Sequence, residues 1–215
     1  DSMFRLELSR CMNVRVLWKV LVVMLMAVSV LTFTGQRSSA RPDKIKGVYV
    51  SIWTMKMGDD TRFRSVVDGA KTHGLNSVVL DYEGSSKLYL NKLKYAKKEG
   101  LYTIARIVVF EDGRGATFEQ IKDRTNWNRK IALAKDAQNA GFDEVQYDYI
   151  RFEDAGNASF KKRETIEAFL REAKAAVSIP VGIDVFGSVA YQPHLVIGQD
   201  LTTFSDIIDA VSPML

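Results

Sequence analysis

The chain has 215 residues, 47% hydrophobic and 26% charged, with 30 Lys and Arg against 26 Asp and Glu for a formal charge of +4. That length allows one ordinary domain, and the composition excludes a disordered or collagen-like chain. The single cysteine excludes an intramolecular disulfide framework, a Cys-rich zinc site and a CxxC redox pair.

Residues 1–40 read as an export segment. The sequence begins with Asp1, and Met3 and Met12 are candidate starts. Met12 is preferred, which puts Cys11 outside the translated protein. Arg15 and Lys19 precede an apolar run of 15 residues, 20–34, and Ser38-Ser39-Ala40 offers small residues for cleavage. This is the layout of a secretory signal peptide. The run is shorter than the ~20 residues of a membrane span, and an uncleaved anchor through residues 20–34 is the alternative. Either way the expected location is exported, extracellular or at the cell envelope. Residues 1–40 hold five basic and two acidic residues, so 41–215 carries 25 against 24, nearly neutral. No basic stripe remains to recommend nucleic acid.

From residue 41 the pattern alternates. Residues 45–53, with KGVYVSIW at their centre, predict a strand. Residues 61–73 predict a helix through Phe63, Val66, Val67 and Ala70, stopped at Gly74. Strand 76–82 (NSVVLDY) follows, then helix 87–99 with Leu90, Leu93 and Ala96 on one face and Gly100 beyond it. Strand 101–110 (LYTIARIVVF), a long loop to 126, helix 127–140 and Gly141 come next. Strand 142–148, helix 160–177, strand 179–186 (IPVGIDVF), a short helical stretch 203–208 and strand 209–214 complete the series.

A strand-to-strand period of about 25 to 45 residues marks βα units and a parallel sheet, doubly wound or closed as a barrel. No GxGxxG or GxxxxGK[ST] follows a strand, which weakens the nucleotide-binding versions. Polar residues recur at strand ends: Trp53, Asp81 with Glu83, Glu111 with Asp112, Asp148 with Arg151, and Asp184. A barrel gathers all those ends on one face. The expected fold is therefore α/β, a (β/α)8 TIM-type barrel over 41–215. A full barrel takes ~250 residues, so truncation after about six strands is expected; an open six-stranded sheet is the alternative.

In GFDEVQYDYIRF (141–152), side chains alternate along the strand. Val145 and Tyr147 suit the helix-covered outside, which puts Glu144, Gln146 and Asp148 inside. Buried carboxylates need partners or a use, and Arg106 and Arg151 are the partners within reach. Glu144 sits deep, where a structural salt bridge explains it; Asp148 sits at the mouth. Asp184 ends the neighbouring strand. Two carboxylates at adjacent strand ends suit glycoside hydrolysis, where one donates a proton and the other attacks carbon or activates water. A loop hydrogen bond explains Asp184 equally well. Asp81 and Glu83 could bind sugar hydroxyls or cap a helix. Trp53 could stack on a sugar ring or lie in the core. His73 sits where a helix C-terminus favours it, His194 lies in a loop, and no HxH or HExxH exists, so neither metal nor cofactor is expected.

These residues resemble a family of bacterial glycoside-hydrolase-like proteins, a domain of unknown function with a TIM-barrel, glycosidase-like fold. The matching stretches are KGVYVSIWT (46–54), GLNSVVLDYE (74–83), ARIVVFED (105–112), GFDEVQYDYIRF (141–152), DVFG (184–187), IGQD (197–200) and VSPM (211–214). The fourth-strand motif also looks like the α-amylase-type strand whose terminal Asp is the nucleophile, which would give Asp148 that role. The family continues beyond VSPM with an aromatic, Pro- and His-containing stretch, whereas this sequence ends at Leu215. The segment after the third strand is also shorter here. The resemblance implies a hydrolase acting on a cell-envelope or extracellular polysaccharide; the residue pattern makes Asp148 and Asp184 the expected catalytic pair, with Asp81, Glu83, Arg106, Glu144, Gln146, Arg151 and Trp53 expected to bind or support. A non-catalytic glycan-binding or scaffold barrel is the alternative.

Overall fold

The computed structural model describes residues 40–110 and 116–214. Residues 1–39, which hold nearly all of the expected export segment and its apolar run, lie outside them, as do Glu111 and Asp112. Among the described residues no helix is long and apolar enough to cross a membrane.

Among the described residues six strands form one parallel sheet: β1 Gly47–Val50, β2 Ser77–Asp81, β3 Tyr102–Val108, β4 Glu144–Asp148, β5 Val181–Phe186 and β6 Ala210–Met214. Their order in space is their order in sequence. A doubly wound sheet reverses at a switch point, so that arrangement is excluded. What remains is a curled half-barrel, wound as the first six strands of a (β/α)8 barrel are. Gly74, Gly100 and Gly141 lead from helix to strand with φ of +70°, +80° and +97°, a region that L side chains avoid.

The helices are α1 Ile52–Lys56, α2 Thr61–Thr72, α3 Lys87–Lys98, α4 Phe118–Lys122, α5 Arg124–Ala140, α6 Phe160–Ala175 and α7 Leu201–Phe204, with a 3-10 turn at Gly187–Ala190. Their apolar faces cover the outside of the sheet. Phe63, Val67, Leu93, Ala134, Ala137 and Phe169 bury against Val78, Leu80, Ala105, Ile107, Val145 and Tyr147. Phe169 of α6 sits edge-on to Phe110, Trp127 and Tyr147 at centroid distances of 5.7, 5.6 and 5.4 Å. Tyr147 and Val145 thus face the helices, which turns Glu144, Gln146 and Asp148 to the concave side.

The sheet departs from the sequence expectation at its first strand. β1 ends at Val50, and Ile52 and Trp53 belong to α1. Two tertiary contacts override the β propensity of this run. The Ile52 N–H donates to Asp81 Oδ2 at 3.0 Å. At the other end the buried Lys92 ammonium donates to the carbonyls of Thr54, Met55 and Met57 at 2.8, 3.2 and 2.6 Å. Trp53 is consequently 79% exposed, which removes it from the core. α4 was expected as loop, although its capping box, Thr117 with Gln120, is visible in the sequence.

Candidate active site

β3 places Arg106 at the centre of the concave face. Its register neighbours are Asp81 on β2 and Gln146 on β4. Asp148 and Asp184 lie one step nearer the C-terminal ends of β4 and β5. Arg106 Nη1 donates to Asp81 Oδ1 at 2.5 Å. Its Nε donates to Asp148 Oδ2 at 2.9 Å, and Nη2 donates to the same oxygen. Asp184 Oδ2 stands 3.9 Å from Nε. Three carboxylates therefore converge on one guanidinium.

Each carboxylate has further partners. Asp81 Oδ2 accepts from the Tyr49 hydroxyl at 2.5 Å as well as from Ile52 N–H. Asp148 Oδ1 accepts from the Tyr149 N–H at 2.6 Å. Asp184 Oδ1 accepts from the Gln146 amide, and its carboxyl is within hydrogen-bonding reach of Asp148. Two tyrosine rings flank Arg106, with its guanidinium carbon 5.3 Å from the Tyr49 centroid and 5.8 Å from that of Tyr149.

The electrostatics separate the two carboxyls at the mouth. Burial pushes Asp184 up to about 7, and the charge of Asp148 adds to this; Gln146 and Arg106 oppose it. Asp184 is therefore still partly protonated near neutrality. Burial disfavours the charge on Arg106, but Asp148 and Asp81 outweigh it and hold the guanidinium still further into its charged form. Burial, then the bond to Asp81, pushes the Tyr49 hydroxyl up to about 12.

Two cavities meet at this cluster. One of about 150 Å³ is lined by Asp148, Tyr149, Arg151, Asp184, Phe186 and Gln199. The other, about 550 Å³, is lined by Asp81, Glu83, Arg106 and Val108 together with Arg129 and Lys130 of α5. The larger volume is in the range of ordinary ligand sites.

The structure thus gathers Asp81, Arg106, Gln146, Asp148 and Asp184. Glu144 is elsewhere. It is buried at the base of the face and accepts from Arg41 Nε at 2.9 Å and from the Tyr102 hydroxyl at 3.1 Å. The sequence offered it Arg106 or Arg151, but its register neighbour on β3 is Ile104, one inward step below Arg106, and Tyr102 lies one step further down. Gly182 leaves room for it, since a Cβ there would come within 3.2 Å of Glu144 Oε1. Arg151 lines the smaller cavity, donates to Phe152 O and Asp154 Oδ1 at 3.3 and 3.2 Å, and lies 5.0 Å from the Phe186 ring centroid. Glu83 is an exposed rim residue paired with Lys56 at 2.5 Å. Asp81 does not cap the helix that follows it, because Ser86 does.

Sequence reasoning missed Tyr49, Tyr149 and Gln199. Alternation in GVYV would have found the first, since Val48 and Val50 claim the outside. Nothing local marks Tyr149, whose φ of +54° is set by the turn out of β4.

Residues 111–215, just under half of the chain, match a family described as "Putative glycosyl hydrolase domain". No curated protein matches the chain. Among solved structures, the Bacillus cereus spore cortex-lytic enzyme SleL is similar at 15% identity and a TM-score of 0.56, over 78% of this chain and 40% of that one. The α-galactosidase TtGalA of Thermus thermophilus, solved with stachyose, is similar at 13% identity and 0.51, over 81% and 44%. The carboxyl transferase domain of Rhizobium etli pyruvate carboxylase is similar at 12% and 0.51, over 76% and 26%. Such likenesses carry the fold, which unrelated chemistries share, and the chain spans less than half the length of each. The family match is the more specific finding, and the residues it covers include Asp148 and Asp184.

Proposed function

We propose that the protein hydrolyses a glycosidic bond in a cell-envelope or extracellular polysaccharide, with Asp184 as proton donor and Asp148 as nucleophile or base. The observation that carries this reading is the contrast between two neighbouring carboxyls, one gripped by Arg106 and the other pushed up to about 7. Pairs driven apart in this way divide into acid and base. Asp184 gives its proton to the leaving oxygen as the glycosidic bond breaks. Asp148 attacks the anomeric carbon, or takes a proton from the water that does. The two carboxyls are now in contact, closer than the about 5–5.5 Å of retaining enzymes, so the substrate must part them. Arg106 fixes Asp148 during that movement.

The test is turnover of a panel of envelope glycans and oligosaccharides by the full chain. Asp148→Asn and Asp184→Asn should each lower kcat at least about 100-fold with the fold retained. Normal turnover by Asp148→Asn would overturn the assignment. A second reading, a non-catalytic glycan-binding barrel, draws on Trp53, whose exposed ring could stack on a sugar. It predicts binding without turnover, and loss of binding in Trp53→Ala.

A further inference from the structure

We propose that Tyr49 is a positioning residue of this site, acting through Asp81 and Arg106 to set how firmly Asp148 is held. The inference rests on the reading that Asp148 and Asp184 are the acting pair.

Tyr49 is half exposed on β1, so its packing does not explain it. Its hydroxyl contacts one atom of the cluster, Asp81 Oδ2. That oxygen also takes the Ile52 N–H, and Oδ1 takes Arg106 Nη1. Both oxygens of Asp81 are therefore engaged, and its carboxylate cannot turn without breaking a bond. With Nη1 anchored, the planar guanidinium has one orientation left, in which Nε and Nη2 both meet Asp148 Oδ2. The ring of Tyr49 closes one side of the same guanidinium at 5.3 Å. A phenol keeps its proton across the working pH range, so the donor is constant. Among the described residues, the charged and titratable groups facing the pair are Arg106 from β3, Asp81 from β2, Tyr49 from β1, and Tyr149 and Arg151 from the stretch after β4; of these, Tyr49 reaches the guanidinium from β1.

The sign of the effect follows. Without the hydroxyl, Asp81 Oδ2 keeps the Ile52 N–H alone, Arg106 is held less firmly, and the cation stabilises ionised Asp148 less. Asp148 then becomes harder to ionise. The experiment is a carbon-13 titration of the Asp148 and Asp184 carboxyls in the full chain, which needs no substrate. Tyr49→Phe should raise the lower of the pair's two apparent pKa values by about half a pH unit. Asp81→Asn removes a like charge as well as the anchor, so it serves as the background on which Tyr49→Phe should add nothing. An unchanged titration in Tyr49→Phe, or full additivity with Asp81→Asn, would overturn the proposal. Turnover is read separately: a shifted titration with no turnover on any glycan would sink the hydrolase reading and leave the positioning role standing.

Discussion

Arg106 gives both Nε and Nη2 to a single oxygen of Asp148, Oδ2, and leaves Oδ1 to the backbone N–H of Tyr149. This is an end-on grip, unlike the fork in which each nitrogen takes its own oxygen. The turn that brings the Tyr149 N–H onto Oδ1 holds a tyrosine at φ +54°. Non-glycine residues reach that region at a penalty of about 1 kcal/mol or more. Backbone strain is thus concentrated at the residue following the carboxylate to which the chemistry is assigned.

Arg106→Met should destabilise the fold by about 3–5 kcal/mol at pH 8, because it strands Asp81, Asp148 and Asp184 without their cation. Urea unfolding would show a smaller loss at pH 5, where the carboxyls can take up protons instead. Equal losses at the two pH values would mean that the guanidinium acts by packing alone.

Asp184→Asn tests the proton directly. The ordinary value of 3.8 is raised to about 7 in the fold. A raised carboxyl stabilises the folded state fully below pH 4, and that stabilisation is lost as pH climbs through 7. The wild-type chain should therefore lose about 2–4 kcal/mol between pH 4 and pH 8 that Asp184→Asn does not lose. Parallel stability-versus-pH curves for the two proteins would refute this.

Lys92→Met should cost about 2–4 kcal/mol in unfolding free energy, since three carbonyls of the α1 segment lose their donor in a buried place. α1 also supplies the Ile52 N–H to Asp81. Hydrogen exchange at Ile52 should accelerate in this variant more than at β4 or β5.

Glu144→Gln separates the base of the face from its mouth. It weakens the bonds to Arg41 and Tyr102, one of which is partly exposed, for a loss of about 1–2 kcal/mol. Turnover and the titration of the Asp148–Asp184 pair should be unchanged. A displaced titration would show that the two ends of β4 are coupled.

Legibility in the sequence followed the physics of each level. Every strand and every long helix was readable, because apolar spacing and the stops at Gly74, Gly100 and Gly141 are local signals. Period-two alternation in EVQYD was enough to turn Glu144, Gln146 and Asp148 inward. What could not be read was partner choice. Glu144 meets Arg41, Asp81 meets Tyr49, and Lys92 meets the end of α1 across 103, 32 and about 35 residues of chain respectively. The expectation that β1 would run to Trp53 failed for the same reason, since long-range bonds to Asp81 and Lys92 draw that stretch into a helix.

The strands stand side by side in chain order, so the charges of the site follow one another across the sheet as they do along the chain. β2 delivers an anion, β3 a cation that meets it, and β4 a second anion that completes the cation's coordination. β5 then brings Asp184 to a guanidinium already committed twice over and 3.9 Å away. Buried, beside Asp148 and only at the edge of that cation's reach, the last carboxyl is pushed up to about 7. The carboxyl proposed as the acid is thus the one that stands furthest from the shared positive charge.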